Sequence, residues 1–320
     1  MNEKIVLLRP MLTEAQEAQV TALAERYGRR TVFCRTKEEA LEEVRDAEIY
    51  YGAGTDVAAA AKELRWFCSG SAGVEQYVGE GVFASPDCLL TNSAGAYGVT
   101  ISEHIIMLCI LLARRMPEYF AITRDRNWKN GLMIRSIYGS RLLVLGTGDL
   151  GGTFAAHVRS LGPAEIIGVN RSGREAEGFD RTLAFTRLDE VLPEADFVIG
   201  CLPATAETEN MLSAERIASM KETAFVVNVG RGSLIDEDAL AEALNGGRLG
   251  GAALDVFRTE PLPKDHPLWT ARNCIVTPHM AGQDALAQTI RKNLDMFCED
   301  LENYCEGRPM AHLVDRRAGY

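Results

Sequence analysis

The sequence predicts an α/β protein with two doubly wound parallel-sheet domains. Short apolar runs alternate with helix-type segments over the first hundred residues, and a second alternation of the same kind starts at Arg141. Such alternation is typical of parallel strands joined by crossover helices. A chain of 320 residues also favours two domains of ordinary size over one small core.

The first series begins with the apolar run that follows Lys4. Its expected strands are Ile5–Leu8, Thr31–Cys34, Glu48–Tyr51 and Trp66–Cys68, and its expected helices lie near Glu14–Tyr27, Lys37–Val44 and Val57–Leu64. A long, mainly apolar helix is then expected from about Ile101 to Met116. It should end before Pro117, because proline stops or kinks a helix.

The second series supplies more strands than the first. Its expected strands are Leu142–Leu145, Ile166–Val169, Phe197–Cys201, Ala224–Asn228, Gly251–Leu254 and Ile275–Thr277, and its expected helices are Leu150–Leu161, Ala214–Met220 and Glu237–Leu244. A last helix, from about Leu286 to Cys305, is free to cross back to the first domain. We therefore expect residues 1–100 with 285–320 to form one domain and residues 101–284 to form the other.

Composition and charge narrow the classes of function. The formal net charge of −11 argues against nucleic acid as a partner, because phosphate binding needs a basic face. The longest apolar run, Ile105 to Ala113, is well short of the ~20 residues of a membrane span, and no secretory signal precedes Lys4. The eight cysteines are scattered without a C-x-x-C pair, which indicates buried thiols in a reducing cytoplasm rather than disulfides or a metal site.

The stretch "LLVLGTGDLGG" places Gly146-x-Gly148-x-x-Gly151 directly after a strand and at the start of a helix. The three glycines suit a tight turn, a close approach of the backbone to a pyrophosphate, and close packing of the helix on the strand. The helix N-terminus adds partial positive charge and free N–H groups, and Asp149 and Leu150 lie in the same turn. The second domain is therefore predicted to be a Rossmann domain that binds a dinucleotide.

The end of the next strand bears on which dinucleotide binds. Where a carboxylate would grip the adenosine ribose, the chain has Asn170, Arg171 and Ser172. An amide, a guanidinium and a hydroxyl can all hydrogen-bond a 2′-phosphate, whereas a carboxylate would repel it, so NADP(H) is favoured over NAD(H). Alternatively, Arg171 is a solvated turn residue and NAD(H) binds through Asn170 and the backbone. Leu202 and Pro203, at another strand end, are expected as apolar walls of the same crevice.

Three charged residues, Arg231, Glu260 and His279, follow strands of the second domain and are candidates for one sheet edge. Dehydrogenation of a 2-hydroxy acid needs a cation for the carboxylate and a base for the hydroxyl proton, which arginine and histidine supply. A carboxylate on the far ring nitrogen fixes the histidine tautomer. The glycines beside Arg231 are expected to let a ligand approach the backbone.

Each of these residues also has an ordinary interpretation. Arg231 would be a surface ion pair, Glu260 a loop carboxylate and His279 a buried structural histidine. A cysteine hydrolase that uses Cys201 with His279 is a further alternative, although the apolar strand around Cys201 indicates burial.

The motifs, in this order, resemble those of the D-isomer-specific 2-hydroxyacid dehydrogenase family over nearly the whole chain. The matching pieces are the glycine turn at 146–151, "NVGRG" around Arg231, the run with "DVF", "EPLP" and "HPLW" from Asp255 to Trp269, and "TPHMAG" around His279. The resemblance implies that Arg231 binds the substrate carboxylate and polarises the carbonyl. It also implies that Glu260 orients His279 and that His279 is the acid/base.

The same resemblance extends to both domains. It implies that the first, flavodoxin-like domain binds substrate through backbone amides of "CSGSAGVEQY", which places Ser71, Ala72 and Gly73 in the site, and that Asp255 lies near the nicotinamide. The other cofactor contacts that it implies are Val229, Gly230, His279, Ala281 and Gly282. Members of the family are usually homodimers, so we expect a homodimer here.

The absence of an acidic residue at position 170 is a feature that this chain shares with the NADP-using glyoxylate/hydroxypyruvate reductase branch of the family. We therefore expect reduction of a small 2-keto acid to the D-2-hydroxy acid. Reduction of phenylpyruvate-type acids, phosphoglycerate dehydrogenase activity and an NAD(P)H-sensing, corepressor-like scaffold are the alternatives, whereas Glu260 argues against formate oxidation. Tyr51, Tyr97 and Trp128 are candidates for the substrate pocket, a dimer contact or core packing.

Overall fold

The computed structural model describes residues 3–283 and 286–316, which form two compact units. The first unit comprises the described residues of Met1–Tyr97 and Asp284–Tyr320, and the second is Gly98–Gln283. Each unit has its own parallel sheet, which confirms the predicted α/β class with two doubly wound sheets.

The sheet of the first unit has five parallel strands. They are β1 (Lys4–Leu8), β2 (Arg30–Cys34), β3 (Ile49–Gly52), β4 (Trp66–Ser69) and β5 (Leu89–Thr91). Their order in the sheet is β2-β1-β3-β4-β5, the order of flavodoxin-like folds. The sequence predicts the first four and misses β5, because a run of three residues carries no periodic signal.

Three helices connect these strands: α1 (Glu14–Arg26), α2 (Lys37–Glu43) and α3 (Thr55–Ala60). Helix α1 begins where predicted, because the Thr13 hydroxyl accepts from the Gln16 N–H and the Gln16 side chain accepts from the Thr13 N–H at 2.9 Å. The predicted helix Val57–Leu64 is too long, since Ala61 already has an extended conformation.

The second unit has a seven-stranded parallel sheet. Its strands are β6 (Arg141–Leu145), β7 (Glu165–Asn170), β8 (Arg181–Ala184), β9 (Phe197–Gly200), β10 (Phe225–Asn228), β11 (Gly251–Leu254) and β12 (Cys274–Val276). Their order is β12-β11-β10-β9-β6-β7-β8, so the chain reverses direction across the sheet between β6 and β9. A crevice forms at the carboxyl ends of the strands at such a reversal, and ligands of open α/β sheets bind there. The sequence misses only β8, in which one residue of four is buried.

The helices of this unit are α4 (Gly98–Ala113), α5 (Met116–Arg124), α6 (Asp149–Val158), α7 (Leu188–Val191), α8 (Ala214–Ser219) and α9 (Glu237–Asn245). The prediction of one helix from Ile101 to Met116 is wrong at its end. Helix α4 stops at Ala113, Arg115 has a left-handed φ of 54°, and Pro117 lies in the first turn of α5. Proline is tolerated there because the first N–H groups of a helix have no acceptor within it.

The last helix, α10 (Ala287–Cys305), belongs to the first unit. Its Phe297 ring stacks on Tyr51 with 4.5 Å between ring centroids, so Tyr51 is a core residue. Tyr97 is also buried, whereas Trp128 is fully exposed. Within the described residues, no helix has the length and apolar character needed to cross a bilayer.

Candidate active site

The glycine turn follows β6 and opens α6. Gly146 has a φ of +107°, and a Cβ at this residue would lie 2.8 Å from the carbonyl oxygen of Cys201, so only glycine fits. A Cβ on Gly151 would lie 1.9 Å from the Gly146 oxygen, which shows how closely α6 packs against the strand. A Cβ on Gly148 would meet no protein atom within 4 Å. The backbone at Gly148 therefore faces open space, as it must where a pyrophosphate approaches.

The surroundings of the turn also fit a nicotinamide dinucleotide. Asp149 begins α6, and the first N–H groups of a helix favour an anion because they have no acceptor within the helix. The Asp149 carboxylate turns toward α4, where its Oδ1 lies 2.8 Å from the position of a Cβ on Gly98. Leu202 is buried beside Gly146, and Pro203 and Leu150 are partly exposed. An anion at the turn would thus meet backbone N–H groups.

Strand β7 ends at Asn170, whose side chain is used within its own turn. The Nδ2 atom donates to Thr147 Oγ1 at 3.0 Å, and Oδ1 accepts from the Gly173 N–H at 2.7 Å. Asn170 therefore fixes the turn that carries Arg171 and links this turn to the glycine turn.

Two exposed arginines lie in the turn after β7. Arg171 donates from Nε to Glu207 Oε2 at 2.5 Å, an ion pair that the sequence did not predict. Arg174 is a second guanidinium that sequence reasoning missed, and its side chain forms no ion pair with any described residue. Ser172 is exposed between them. The turn thus carries two guanidinium groups and a hydroxyl group. The guanidinium group of Arg171 is paired with the Glu207 carboxylate.

Arg231 follows β10, and its Nη1 donates to the Gly230 oxygen at 2.7 Å. The glycines on either side make room for neighbouring loops, a packing role that the sequence did not predict. A Cβ on Gly230 would lie 2.5 Å from the Leu202 oxygen, and a Cβ on Gly232 would lie 1.9 Å from the Phe257 carbonyl carbon. The two glycines let the loops after three adjacent strands pack tightly, which fixes the backbone of Arg231.

The structure brings Glu260 and His279 together. His279 Nδ1 lies 2.7 Å from Glu260 Oε2, and the second oxygen of Glu260 accepts from the Phe257 N–H at 2.9 Å. Among the described residues, none bonds to Nε2 of His279, and the imidazole is half exposed. A carboxylate at Nδ1 holds the proton on that nitrogen and stabilises the imidazolium. Nε2 is therefore the nitrogen that can exchange a proton with a ligand.

Asp255 holds the loop that carries His279, and its side chain is 1% exposed. Its Oδ1 accepts from the Thr277 hydroxyl at 2.5 Å and from the Met280 N–H at 2.9 Å, and its Oδ2 accepts from the Ala281 N–H at 2.9 Å. The Asp255 carbonyl accepts from the His279 N–H at 2.8 Å. His279 has a φ of +50°, a conformation that non-glycine residues rarely adopt, so these bonds stabilise an uncommon backbone geometry.

His104 of α4 lies next to the side chains of Thr277 and Asp255. Its Nε2 is 3.4 Å from Thr277 Oγ1 and 3.8 Å from Asp255 Oδ1. Burial lowers the pKa of His104 below its usual range, and the Asp255 carboxylate offsets this only in part. His104 is therefore a neutral polar neighbour of Asp255 at neutral pH, a position that sequence reasoning did not identify.

The other residues expected to contact the cofactor lie on the same loops. Val229 is buried, and its N–H donates to the Gly200 oxygen at 3.0 Å. Ala281 is buried and Gly282 is partly exposed.

In the first unit, the loop after β4 carries Ser71, Ala72 and Gly73. The Ser71 carbonyl accepts from the Ser93 N–H at 3.1 Å, and the Ala72 carbonyl accepts from Asn92 Nδ2 at 3.0 Å. Ser71 and Ala72 are exposed. Two carbonyl groups of this loop are thus bonded within the first unit, which restrains its conformation.

Burial raises the pKa of the Cys201 thiol to about 12, so the thiolate that a cysteine hydrolase needs is scarce at neutral pH. His157 is bonded to Ser102 at 2.7 Å, and His266 caps a short turn, so both have structural roles. In residues 3–283 and 286–316, no group of three or more His, Cys, Asp or Glu is placed to hold a metal ion.

The glycine turn and the three charged candidate residues lie at the carboxyl ends of four strands in the second unit. The glycine turn follows β6, and Arg231, Glu260 and His279 follow the neighbouring strands β10, β11 and β12. This arrangement defines an α/β protein with a Rossmann-type dinucleotide-binding domain.

The chain belongs to the D-isomer specific 2-hydroxyacid dehydrogenase family, because residues 106–281 match the model of the NAD-binding domain of that family. It is therefore an NAD(P)-dependent D-2-hydroxyacid dehydrogenase. This membership favours an enzyme over the sensing scaffold that the sequence left as an alternative.

Two curated relatives show the range of activities in the family. A glyoxylate reductase from Korarchaeum cryptofilum is 29% identical over 88% of this chain and 86% of its own length. A D-3-phosphoglycerate dehydrogenase from Methanocaldococcus jannaschii is 33% identical over 79% of this chain, but the match covers only 49% of that protein.

Two solved structures are similar over almost the whole chain. A family member from Aeromonas salmonicida has a TM-score of 0.86 and 32% identity, and the match covers 99% of this chain and 100% of that one. The NADPH-dependent glyoxylate/hydroxypyruvate reductase of Sinorhizobium meliloti, in complex with NADP and sulfate, has a TM-score of 0.81 and 26% identity with the same coverage.

Proposed function

We propose that this enzyme reduces a small 2-keto acid of the glyoxylate or hydroxypyruvate type to the D-2-hydroxy acid, with NADPH as the preferred reductant. The observation that carries the proposal is the 2.7 Å contact between His279 Nδ1 and Glu260 Oε2. This contact leaves Nε2 of His279 for proton transfer, and Arg231 lies two strands away on the same sheet edge. A proton donor and a carboxylate-binding cation are the two groups that keto-acid reduction requires.

In this proposal, Arg231 binds the substrate carboxylate with its guanidinium and polarises the adjacent carbonyl. The reduced nicotinamide, when bound, supplies the hydride to the carbonyl carbon. His279 donates the Nε2 proton to the carbonyl oxygen, and Glu260 stabilises the imidazolium from the Nδ1 side. In the reverse direction, the neutral imidazole removes the hydroxyl proton.

We assign substrate binding in the first unit to the backbone N–H groups of Ser71, Ala72 and Gly73. The residues proposed to hold the cofactor are Gly146, Gly148, Asp149, Leu150, Gly151, Asn170, Arg171, Ser172, Leu202, Pro203, Val229, Gly230, Asp255, His279, Ala281 and Gly282. Among them, Asn170 and Asp255 act mainly by shaping their loops, because their side chains already bond within the protein.

The preference for NADPH is supported by the turn after β7. The turn begins with Asn170, where an acidic residue would repel a 2′-phosphate, and carries the guanidinium groups of Arg171 and Arg174. The similar reductase of Sinorhizobium meliloti is NADPH-dependent and was solved with NADP.

A second candidate function is phosphoglycerate dehydrogenase activity. It is favoured by the 33% identity to the Methanocaldococcus jannaschii enzyme. Its substrate would need a further cationic site for the phosphate.

We also propose that the enzyme is a cytoplasmic homodimer. All eight cysteines are free thiols, as suits a reducing compartment. Large apolar side chains are exposed close together in sequence at Phe120, Trp128, Met133, Ile134 and Tyr138. A surface of this kind is typical of a protein contact, and light scattering on the purified protein gives its oligomeric state.

Initial rates of cofactor oxidation test the activity and the cofactor together. Glyoxylate, hydroxypyruvate, 3-phosphohydroxypyruvate, pyruvate and phenylpyruvate are each assayed with NADPH and with NADH. We expect the highest kcat/KM with NADPH and one of the two small acids. A higher value with 3-phosphohydroxypyruvate would favour the second candidate, and rates with NADH alone would contradict the proposed cofactor.

A further inference from the structure

We propose that Glu207 is a specificity-determining residue that competes with the 2′-phosphate of NADP(H) for Arg171. The inference rests on the proposed role of Arg171 in cofactor binding. Glu207 would make the enzyme less selective for NADPH than the turn after β7 alone would make it.

The first observation is the ion pair itself. Arg171 Nε lies 2.5 Å from Glu207 Oε2, and both side chains are more than half exposed. An exposed pair of this kind is weak, and it changes an equilibrium by about fivefold or less. The pair can therefore open when a phosphate arrives, but its opening reduces the net gain from that phosphate.

The second observation is the place of the pair in the fold. Arg171 follows β7 and Glu207 follows β9, and these two strands lie on either side of β6. The ion pair thus spans the carboxyl end of β6, where the glycine turn forms the dinucleotide crevice. A carboxylate and a guanidinium that meet across this crevice act on the same end of a bound dinucleotide.

The third observation is that both partners are carried by well-fixed backbone. The turn of Arg171 is tied to the glycine turn through Asn170 and Thr147. Glu207 precedes the buried Thr208, whose hydroxyl donates to the Pro203 oxygen at 2.7 Å and accepts from the Thr205 N–H at 2.9 Å. The Glu207 carboxylate therefore remains near Arg171 after the pair opens.

A carboxylate held there has opposite effects on the two cofactors. It repels the 2′-phosphate, which carries close to two negative charges at neutral pH. The free ribose hydroxyls of NAD(H) instead find an acceptor in it. Position 170 lacks an acidic residue that would bind the ribose hydroxyls and repel the 2′-phosphate. Glu207, which follows a different strand, supplies part of that function.

The test uses the nucleotide fragments 2′,5′-ADP (adenosine 2′,5′-bisphosphate) and 5′-AMP, which contain no nicotinamide and differ only in the 2′-phosphate. Isothermal titration calorimetry gives their affinities for the full-length protein and for Glu207→Gln and Arg171→Ala. Glu190→Gln is the matched control, because Glu190 pairs with Arg187 in the same unit at nearly the same exposure. Thermal unfolding confirms that every variant is folded.

We expect Glu207→Gln to bind 2′,5′-ADP about fivefold more tightly than the wild type and to bind 5′-AMP no more tightly. Glu190→Gln should match the wild type. If Glu207→Gln leaves 2′,5′-ADP affinity unchanged while Arg171→Ala weakens it, the role of Glu207 is wrong and the proposed cofactor preference stands. If the wild type and both site variants bind the two fragments equally, the proposed cofactor preference is wrong as well.

Discussion

The loop of His279 and the turn of Arg171 lie on one sheet edge but are stabilised in different ways. Asp255, which is 1% exposed, holds the His279 loop through side-chain and backbone bonds. The Arg171 turn reaches its neighbour through an ion pair that is more than half exposed. Breaking a buried bond leaves an unsatisfied polar group, whereas opening an exposed pair costs little. The His279 loop is therefore rigidly held, while the contacts that we propose to select the cofactor are weak and replaceable.

The largest expected effect is on His279, the proposed acid/base in the rigidly held loop. His279→Ala should lower kcat by about 10²–10⁴-fold with little change in KM, because proton transfer is lost while carboxylate binding by Arg231 is retained. Steady-state kinetics with the best keto acid measures both constants. His157→Ala, which removes an exposed imidazole of α6 together with its bond to Ser102, is the matched control and should keep its activity. A variant at 279 that retains most of the turnover would exclude the proposed role.

Arg231→Ala should act mainly on substrate binding. Loss of a charged hydrogen-bonding partner for the carboxylate should raise KM by about 10–100-fold, and Arg231→Lys should recover only part of this because lysine lacks the planar fork. The same steady-state assay measures the change. Arg187→Ala, which removes an exposed arginine of the same unit, should leave KM unchanged. An unaltered KM in the Arg231 variants would assign the substrate carboxylate to another group.

Asp255→Asn should loosen the His279 loop without removing a reacting group. The amide NH₂ cannot accept from the N–H groups that the carboxylate binds, so we expect the free energy of unfolding to fall by about 2 kcal/mol. Chemical denaturation measures this, and kcat should fall with it because the His279 loop loses its anchor. Asp189→Asn, at an exposed ion pair, should cost less than about 1 kcal/mol. Equal stabilities for the two variants would show that Asp255 does not clamp the loop.

The smallest expected effect is a pH dependence from His104. Burial lowers its pKa in the folded protein below the usual value of 6.5, so the unfolded chain binds a proton more readily than the folded one. Stability should therefore fall as the pH drops from about 6.5 toward the folded-state pKa, by up to about 1.4 kcal/mol per pH unit, with no contribution at higher pH.

The measurement for His104 is the difference in unfolding free energy between the wild type and His104→Gln across pH 5–8. We expect the wild type to lose stability relative to the variant on the acid side only. A difference that is independent of pH would mean that His104 is not held neutral.

The comparison also shows what the sequence could predict. The positions of the glycine turn and of Arg231, Glu260 and His279 were predictable, because each lies in the loop after a strand and parallel strands share their carboxyl edge. The contacts of Glu207 and His104 were not, since each joins segments far apart in the chain. Pro117 was misinterpreted because proline is compatible both with the end of one helix and with the first turn of the next.

The glycines beside Arg231 show a further limit. A sequence shows that a residue has no side chain, but the atoms that fill the vacated space belong to other loops. Here those atoms belong to the Leu202 and Phe257 backbones.

The full exposure of Trp128 gives the protein a fluorescent reporter of its own. Trp66 is fully buried in the first unit, and Trp269 is half exposed, so the three indoles differ in environment. An indole in water emits at longer wavelengths and is quenched by soluble iodide, whereas a covered indole is protected. Emission from Trp128 therefore distinguishes a bare segment from one covered by a second subunit, at protein concentrations close to those in an enzyme assay and without any chemical label.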